Sequence, residues 1–254
     1  MQNCYEHKSL RTFLSKLVCS HTFKMENENV TNKINEENIA EKASDQFDIQ
    51  LLYNSLEKCC KESNALDMEQ YLIAFKELYR FFTLLGSVFG FVASDIISKV
   101  TILEEYKKSD ASDQYTTIQS MIEYETCNGI TGNTTQPSGS RTLLRLHRSL
   151  EFIMSFMNDF SCADIDAKSS TIAQKCYNET LSKYHPWLIR KGANIAMYTL
   201  PAKQQFIERV YGSPCDEGVV QFYAKMMGDI ASVSKKVFDE THKLYEANDL
   251  LNLP

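Results

Sequence analysis

From Phe47 onward the apolar side chains recur at intervals of three and four residues, not two. That period places them along one stripe of an α-helix and scatters them over both faces of a strand. Only nine glycines and five prolines punctuate the 254 residues, too few for many short strands joined by tight turns. An all-α fold follows, and the helices can be placed. Phe47, Leu51, Tyr53, Leu56 and Cys60 predict a first helix over 46–62. Asp67 is placed to cap a second, with Tyr71, Phe75, Leu78, Tyr79 and Phe82 facing inward. Gly86 and Gly90 interrupt it before a third helix that runs to Tyr106. A fourth covers 113–126, and Gly129, Gly132 and Pro137 mark the loop after it. Ser138 or Ser140 caps a long helix to Asp159. Helices over 169–184, 186–199, 201–211 and 215–246 complete the set, with Pro186 and Pro201 in first-turn positions. No internal repeat and no sustained heptad run is present.

The first 44 residues read differently. Residues 26–42 are rich in Asn and Glu and contain no aromatic side chain, so they bury too little surface to offset the entropy of ordering. Residues 1–44 are therefore expected to be a disordered extension, and 45–254 the folded domain. The uncharged stretch 81–94 (FFTLLGSVFGFVAS) falls short of the ~20 residues needed to cross a bilayer, and Asp95 and Lys99 follow at once. It reads as buried helix. A net charge of -6 and a pI near 5.5 argue against a nucleic-acid surface, so an anionic ligand must be met by a local basic cluster. The eight cysteines form neither a C-x-x-C pair nor a His-matched zinc pattern, and no metal or cofactor is expected. Reduced thiols, and a Lys16 that splits the apolar run from Phe13 to Val18, point to the cytosol. The sequons at Asn29, Asn133 and Asn178 then count as chance matches.

Three constellations carry chemistry. Arg141, Arg145 and Arg148 lie at offsets of four and seven, which puts all three guanidinium groups within about 60° on one helix face. Like charges stacked so are unfavourable unless something anionic sits among them, and Arg fits phosphate with a bidentate fork. Spacing alone favours a solvated basic face, or pairing with acids of another helix. Asp95 and Lys99 are an i, i+4 pair ringed by Phe89, Phe91, Val92, Ile96, Ile97, Val100 and Ile102. A helix apolar all round belongs inside, where a charge pair needs a reason beyond its small stability. The third is Tyr184-His185-Pro186-Trp187, with the only tryptophan. Asp95 and His185 could be imagined as an acid–base pair, but no nucleophile motif or phosphate loop accompanies them, so no enzymatic activity is expected.

The order of these motifs is more specific than any one of them. SVFGFVASDIISK, then SGSRTLLRLHRSLEFI, then YNETLSKYHPWLIRKGANIAMYTLP, and finally DLLNLP, resembles the glycolipid transfer protein superfamily over residues 47–254. The resemblance implies a two-layer helical sandwich enclosing an apolar pocket for lipid chains, with no turnover. It implies that Asp95 accepts hydrogen bonds from the sphingoid amide and hydroxyl, and that His185 donates to the amide carbonyl. Lys99, Arg141 and Arg145 would hold a headgroup phosphate, with Arg148 in support. Trp187, Arg190 and Lys191 match the part of the family that touches membrane. Sugar-selective members stack a headgroup tryptophan on the ligand, whereas this chain has no Trp between residues 95 and 150. The expected cargo is thus a phosphorylated sphingolipid, ceramide 1-phosphate foremost, carried by a monomer that contacts membranes transiently. A lipid-holding sensor that recruits a protein partner is the alternative suggested by the extension.

Overall fold

The computed structural model describes residues 46–60 and 65–254. The predicted disordered extension, residues 1–44, lies outside them. Nine α-helices are present among the described residues: α1 (Ile49–Cys59), α2 (Met68–Leu84), α3 (Gly90–Lys107), α4 (Ile118–Cys127), α5 (Gly139–Cys162), α6 (Ser169–Glu179), α7 (Trp187–Tyr198), α8 (Lys203–Tyr211) and α9 (Glu217–Ala247). Helix α1 packs on α2 and α2 on α3. The long helices α5 and α9 pair along their lengths, and α9 closes on α1 while α3 closes on α5. This is the expected all-α, two-layer arrangement. Two isolated antiparallel bridges, Asp67 with Thr117 and Lys168 with Ala202, tie the starts of α2 to α4 and of α6 to α8.

Side chains explain the boundaries. Asp48, Asp67, Thr117, Ser138 and Asp216 each accept a backbone N–H one turn into the helix that follows, satisfying donors that a helix start otherwise leaves orphaned. Of the two serines proposed to cap α5, Ser138 does so. Its Oγ accepts from Arg141 N at 3.0 Å. Gly86, at φ 102°, ends the α2 region in a conformation that Cβ-bearing residues rarely adopt.

Several expectations need correcting. The helix predicted over 169–184 stops at Glu179 and continues as a 3-10 turn, Leu181–Tyr184. The one predicted from 113 begins as a 3-10 turn, Ser112–Tyr115, and restarts after the Thr117 cap. Pro186 is the N-cap of α7 and Pro201 precedes the Ala202 cap of α8, so each proline ends the approach to a helix without entering it. Tyr79 is half-buried where an inward position was expected. Most tellingly, α3 is not buried all round. Ala93, Ile96, Val100 and Leu103 form its buried stripe, while Phe91, Val92, Ile97 and Ile102 stay half-exposed beside Asp95 and Lys99.

Helix α5 is fixed at both ends by buried charge. The fully buried Glu125 on α4 accepts from Gly139 N (2.7 Å) and Ser140 N (2.8 Å) and from the Tyr115 hydroxyl (3.0 Å). At the other end, buried Lys203 donates to Ser161 O (3.1 Å) and Ala163 O (2.6 Å). A carboxylate on the positive end and an ammonium on the negative end both oppose the helix dipole. Position 139 must be glycine, because a Cβ there would lie 2.6 Å from Met121 Sδ and 3.0 Å from both Glu125 Oε1 and Tyr115 Cε1. The interlayer core includes a run of rings, Phe47, Phe81, Phe206, Phe156 and Phe160, linked by centroid distances of 4.8–5.9 Å. Among the described residues, no helix is long and apolar enough to cross a membrane.

Candidate lipid headgroup site

The capped and clamped α5 carries the three arginines in register. Arg141 Nε and Arg145 Nη2 both donate to one oxygen, the main-chain O of Pro254, each at 2.6 Å. Arg145 Nη1 donates back to Arg141 O at 2.7 Å, which fixes the guanidinium over its own helix. The C-terminal residues reach this position because Asp249, at φ 57°, reverses the chain after α9, and Leu250 N bonds back to Tyr245 O at 2.8 Å. A single acceptor oxygen facing two guanidinium groups is anion-site geometry. Arg148 is turned differently. It donates to Leu251 O at 2.7 Å and stacks on the Tyr184 ring at 4.2 Å.

Helix α3 supplies the neighbouring charges. Lys99 Nζ donates to Asp95 Oδ1 at 2.5 Å; the lysine side chain is 14% exposed and the aspartate 60%. So the carboxylate projects outward while the ammonium is sheltered. Burial holds the Arg145 guanidinium down to about 10, Arg141 and Arg148 push it the same way, and Asp95 partly offsets them. It remains protonated at neutral pH. Burial likewise lowers the His185 pKa, with Asp95 acting against the shift and Lys99 adding to it. Asp95 therefore feels both Arg145 and His185. The ring of His185 is held by the Tyr177 hydroxyl, 2.8 Å from Nδ1.

Trp187, Arg190 and Lys191 lie one turn apart on α7 and line a cleft of about 320 Å³ with Asn178, Ser182 and Asn194. Trp187 is 62% exposed and Tyr198, on the same helix, 78%. A second cleft of about 230 Å³ lies beside Arg148, between Leu144, Tyr184, Phe238 and Leu251. Both clefts open at the surface and have charged linings. The buried apolar side chains of the helices form one continuous cluster.

Sequence reading missed Glu125, Lys203, Tyr177 and the C-terminal strap. Glu125 and Lys203 had no local signal, since each acts on a helix start or end far along the chain. Tyr177 could have been noticed, eight residues before His185, as a polar ring on the buried side of α6. Six cysteines among the described residues are free, and no group of His, Cys, Asp and Glu there could hold a metal.

The sequence pattern described as "Glycolipid transfer protein (GLTP)" matches residues 66–212. The ceramide-1-phosphate transfer protein of Rattus norvegicus is 32% identical over 214 residues, 82% of this chain and 97% of the relative. The crystal structure of the mouse ceramide-1-phosphate transfer protein in its apo form superposes with a TM-score of 0.75 at 32% identity, covering 82% of this chain and all of that one. The human protein in complex with 2:0 ceramide-1-phosphate gives 0.75 at 30% identity with the same coverage. The chain belongs to the glycolipid transfer protein family, lipid carriers that move their cargo without chemical turnover.

Proposed function

We propose that this protein transfers a phosphorylated sphingolipid, ceramide 1-phosphate foremost, between membranes by a non-vesicular route. The observation that carries the reading is the pair of guanidinium groups, Arg141 and Arg145, meeting on one acceptor position next to the Asp95–Lys99 pair. A phosphomonoester brings about -1.5 to -2 charges at neutral pH, and Lys99, Arg141 and Arg145 together match it. Asp95 accepts from the sphingoid amide and hydroxyl, His185 donates to the amide carbonyl, and Arg148 steadies the array from Tyr184 and Leu251. The half-exposed Phe91, Val92 and Ile97 offer apolar contact where the headgroup gives way to hydrocarbon. Each methylene left in water costs about 0.8 kcal/mol, so a carrier must enclose the chains. Here that requires the two layers to part around the packed core. Trp187, Arg190 and Lys191 meet the bilayer during uptake and release, the Trp ring lodging at the interface and the cations facing anionic headgroups. The protein works as a monomer in the cytosol.

The test is vesicle-to-vesicle transfer of fluorescent lipids. Ceramide 1-phosphate should move, galactosylceramide should not, and Arg145→Leu should abolish phosphate-lipid transfer while the protein stays folded. Equal rates for the two headgroups would sink the selectivity. Full transfer by Arg145→Leu would remove the arginine pair from the site.

A further inference from the structure

The Tyr177 side chain meets a ring nitrogen of His185 through its hydroxyl. Tyr177 sits on α6, 3% exposed, and its hydroxyl lies 2.8 Å from His185 Nδ1. A buried O–H without an acceptor forfeits its desolvation energy, so the proton belongs on the line to Nδ1. Burial pushes the Tyr177 hydroxyl up to about 12, which keeps it protonated and able to donate at neutral pH. Burial also lowers the His185 pKa, so the imidazole is neutral and carries one proton. If Nδ1 accepts, that proton is on Nε2.

We infer that Tyr177 is a positioning residue: by donating to Nδ1 it holds His185 as the Nε2–H tautomer, aimed toward the Asp95–Lys99 turn. Three observations converge on this. The Tyr177 hydroxyl sits at hydrogen-bond distance from Nδ1, with the two rings 5.8 Å apart and tilted by 38°. His185 is the residue just before Pro186, with extended backbone (φ -106°, ψ 136°), and its N–H is tied to Ser182 O at 3.1 Å. Both backbone and ring are thereby pinned. The ring lies close enough to Asp95 and Lys99 for both charges to act on it. With the opposite tautomer, a bare Nε2 would face the lipid and repel an amide carbonyl, and the headgroup site would lose a donor. The arrangement is the one used to orient metal-bound and catalytic histidines, here serving ligand recognition without a metal. The tautomer assignment is independent of the cargo; its use in recognising an amide rests on the function proposed above.

The experiment separates the two. Ring-nitrogen NMR shifts of His185 are measured without lipid at neutral pH, with His185→Gln identifying the signal. The wild-type protein should show the Nε2–H form, and Tyr177→Phe should show a mixture. A wild-type Nδ1–H form, or the same single tautomer in Tyr177→Phe, would overturn the inference. Binding of short-chain ceramide 1-phosphate is then compared with that of a phosphatidic acid, which has the phosphate but no amide. Tyr177→Phe should weaken the first by about fivefold, one neutral hydrogen bond's worth, and leave the second unchanged. In a His185→Ala background, Tyr177→Phe should cost nothing further, because Tyr177 acts only through that ring. Equal losses for both lipids, or an additive double variant, would reduce Tyr177 to a packing role and overturn the positioning. A wild-type protein that binds neither lipid would overturn the proposed cargo while leaving the tautomer result to stand or fall by itself.

Discussion

Arg145 is half-buried between two other guanidinium groups, and each of its described contacts answers that repulsion. Arg141 O takes one donor, Pro254 O another, and Asp95 supplies the nearby negative charge. The spacing of the arginines was legible from the sequence, since offsets of four and seven fix a helix face. Where each one points was not. Arg148 shares the face yet turns to Tyr184 and Leu251, because the C-terminal residues cross α5 at its height. On the same helix, His147 is buried, stacks on Phe238 at 4.2 Å and lies 3.3 Å from His242. Burial, then the charges of His242 and Arg148, push its pKa down to about 3 from an ordinary 6.5. The unfolded chain takes up this proton near pH 6.5, whereas the folded chain refuses it until about pH 3. The unfolded state thus binds more protons across that window, and stability falls as pH falls. Thermal unfolding followed from pH 7 to pH 4 should show a declining Tm, and His147→Gln should flatten the decline. An equally steep profile in the variant would assign the loss to other groups.

At the scale of elements, α5 is the platform of the site, and its ends are held by residues distant in sequence. Glu125→Leu leaves Gly139 N and Ser140 N without their acceptor and should cost about 3 kcal/mol. Lys203→Met removes the ammonium from the last carbonyls and should cost about 1–2 kcal/mol. The two sites share no partner, so the double variant should lose the sum. Chemical denaturation of the four proteins measures this, and a clearly smaller combined loss would mean the ends are coupled through the helix. The strap after α9 makes a second prediction. Its Pro254 main-chain oxygen occupies donors of Arg141 and Arg145. Deleting Leu253 and Pro254 should free them and tighten binding of a short-chain phosphate lipid by about threefold or more. A weaker affinity instead would mean the strap orders the guanidinium pair for the ligand. Helix boundaries show the same division. Caps such as Asp67 and Ser138 could be picked out locally, whereas the break of α6 at Glu179 could not. There the chain must bring His185 back beside α3, and a tighter 3-10 turn accomplishes the change of direction.

For the whole molecule, the proposed function divides the work between the headgroup site and the exposed aromatic face of α7. Trp187→Ala should slow transfer between vesicles several-fold while leaving equilibrium binding of a soluble short-chain lipid unchanged. Parallel losses in both assays would place Trp187 inside the binding site. Transfer should also respond to ionic strength, since Arg190 and Lys191 face solvent and exposed charges are screened within about 10 Å at 0.1 M salt. The sequence by itself determined the all-helical class, the apolar stripes, the Asp67 and Ser138 caps, the arginine face and the Asp95–Lys99 pair. Each of these is set by residues within a turn or two of one another, and helical geometry alone relates them. The tertiary structure decided which acceptor the arginines share, that α3 keeps half-exposed apolar residues beside its ion pair, that Glu125 and Lys203 clamp α5, and that Tyr177 holds His185. Those contacts span 8 to 113 residues. A periodic pattern tells a residue which way to face, but only the packing of one helix on another decides what it meets there.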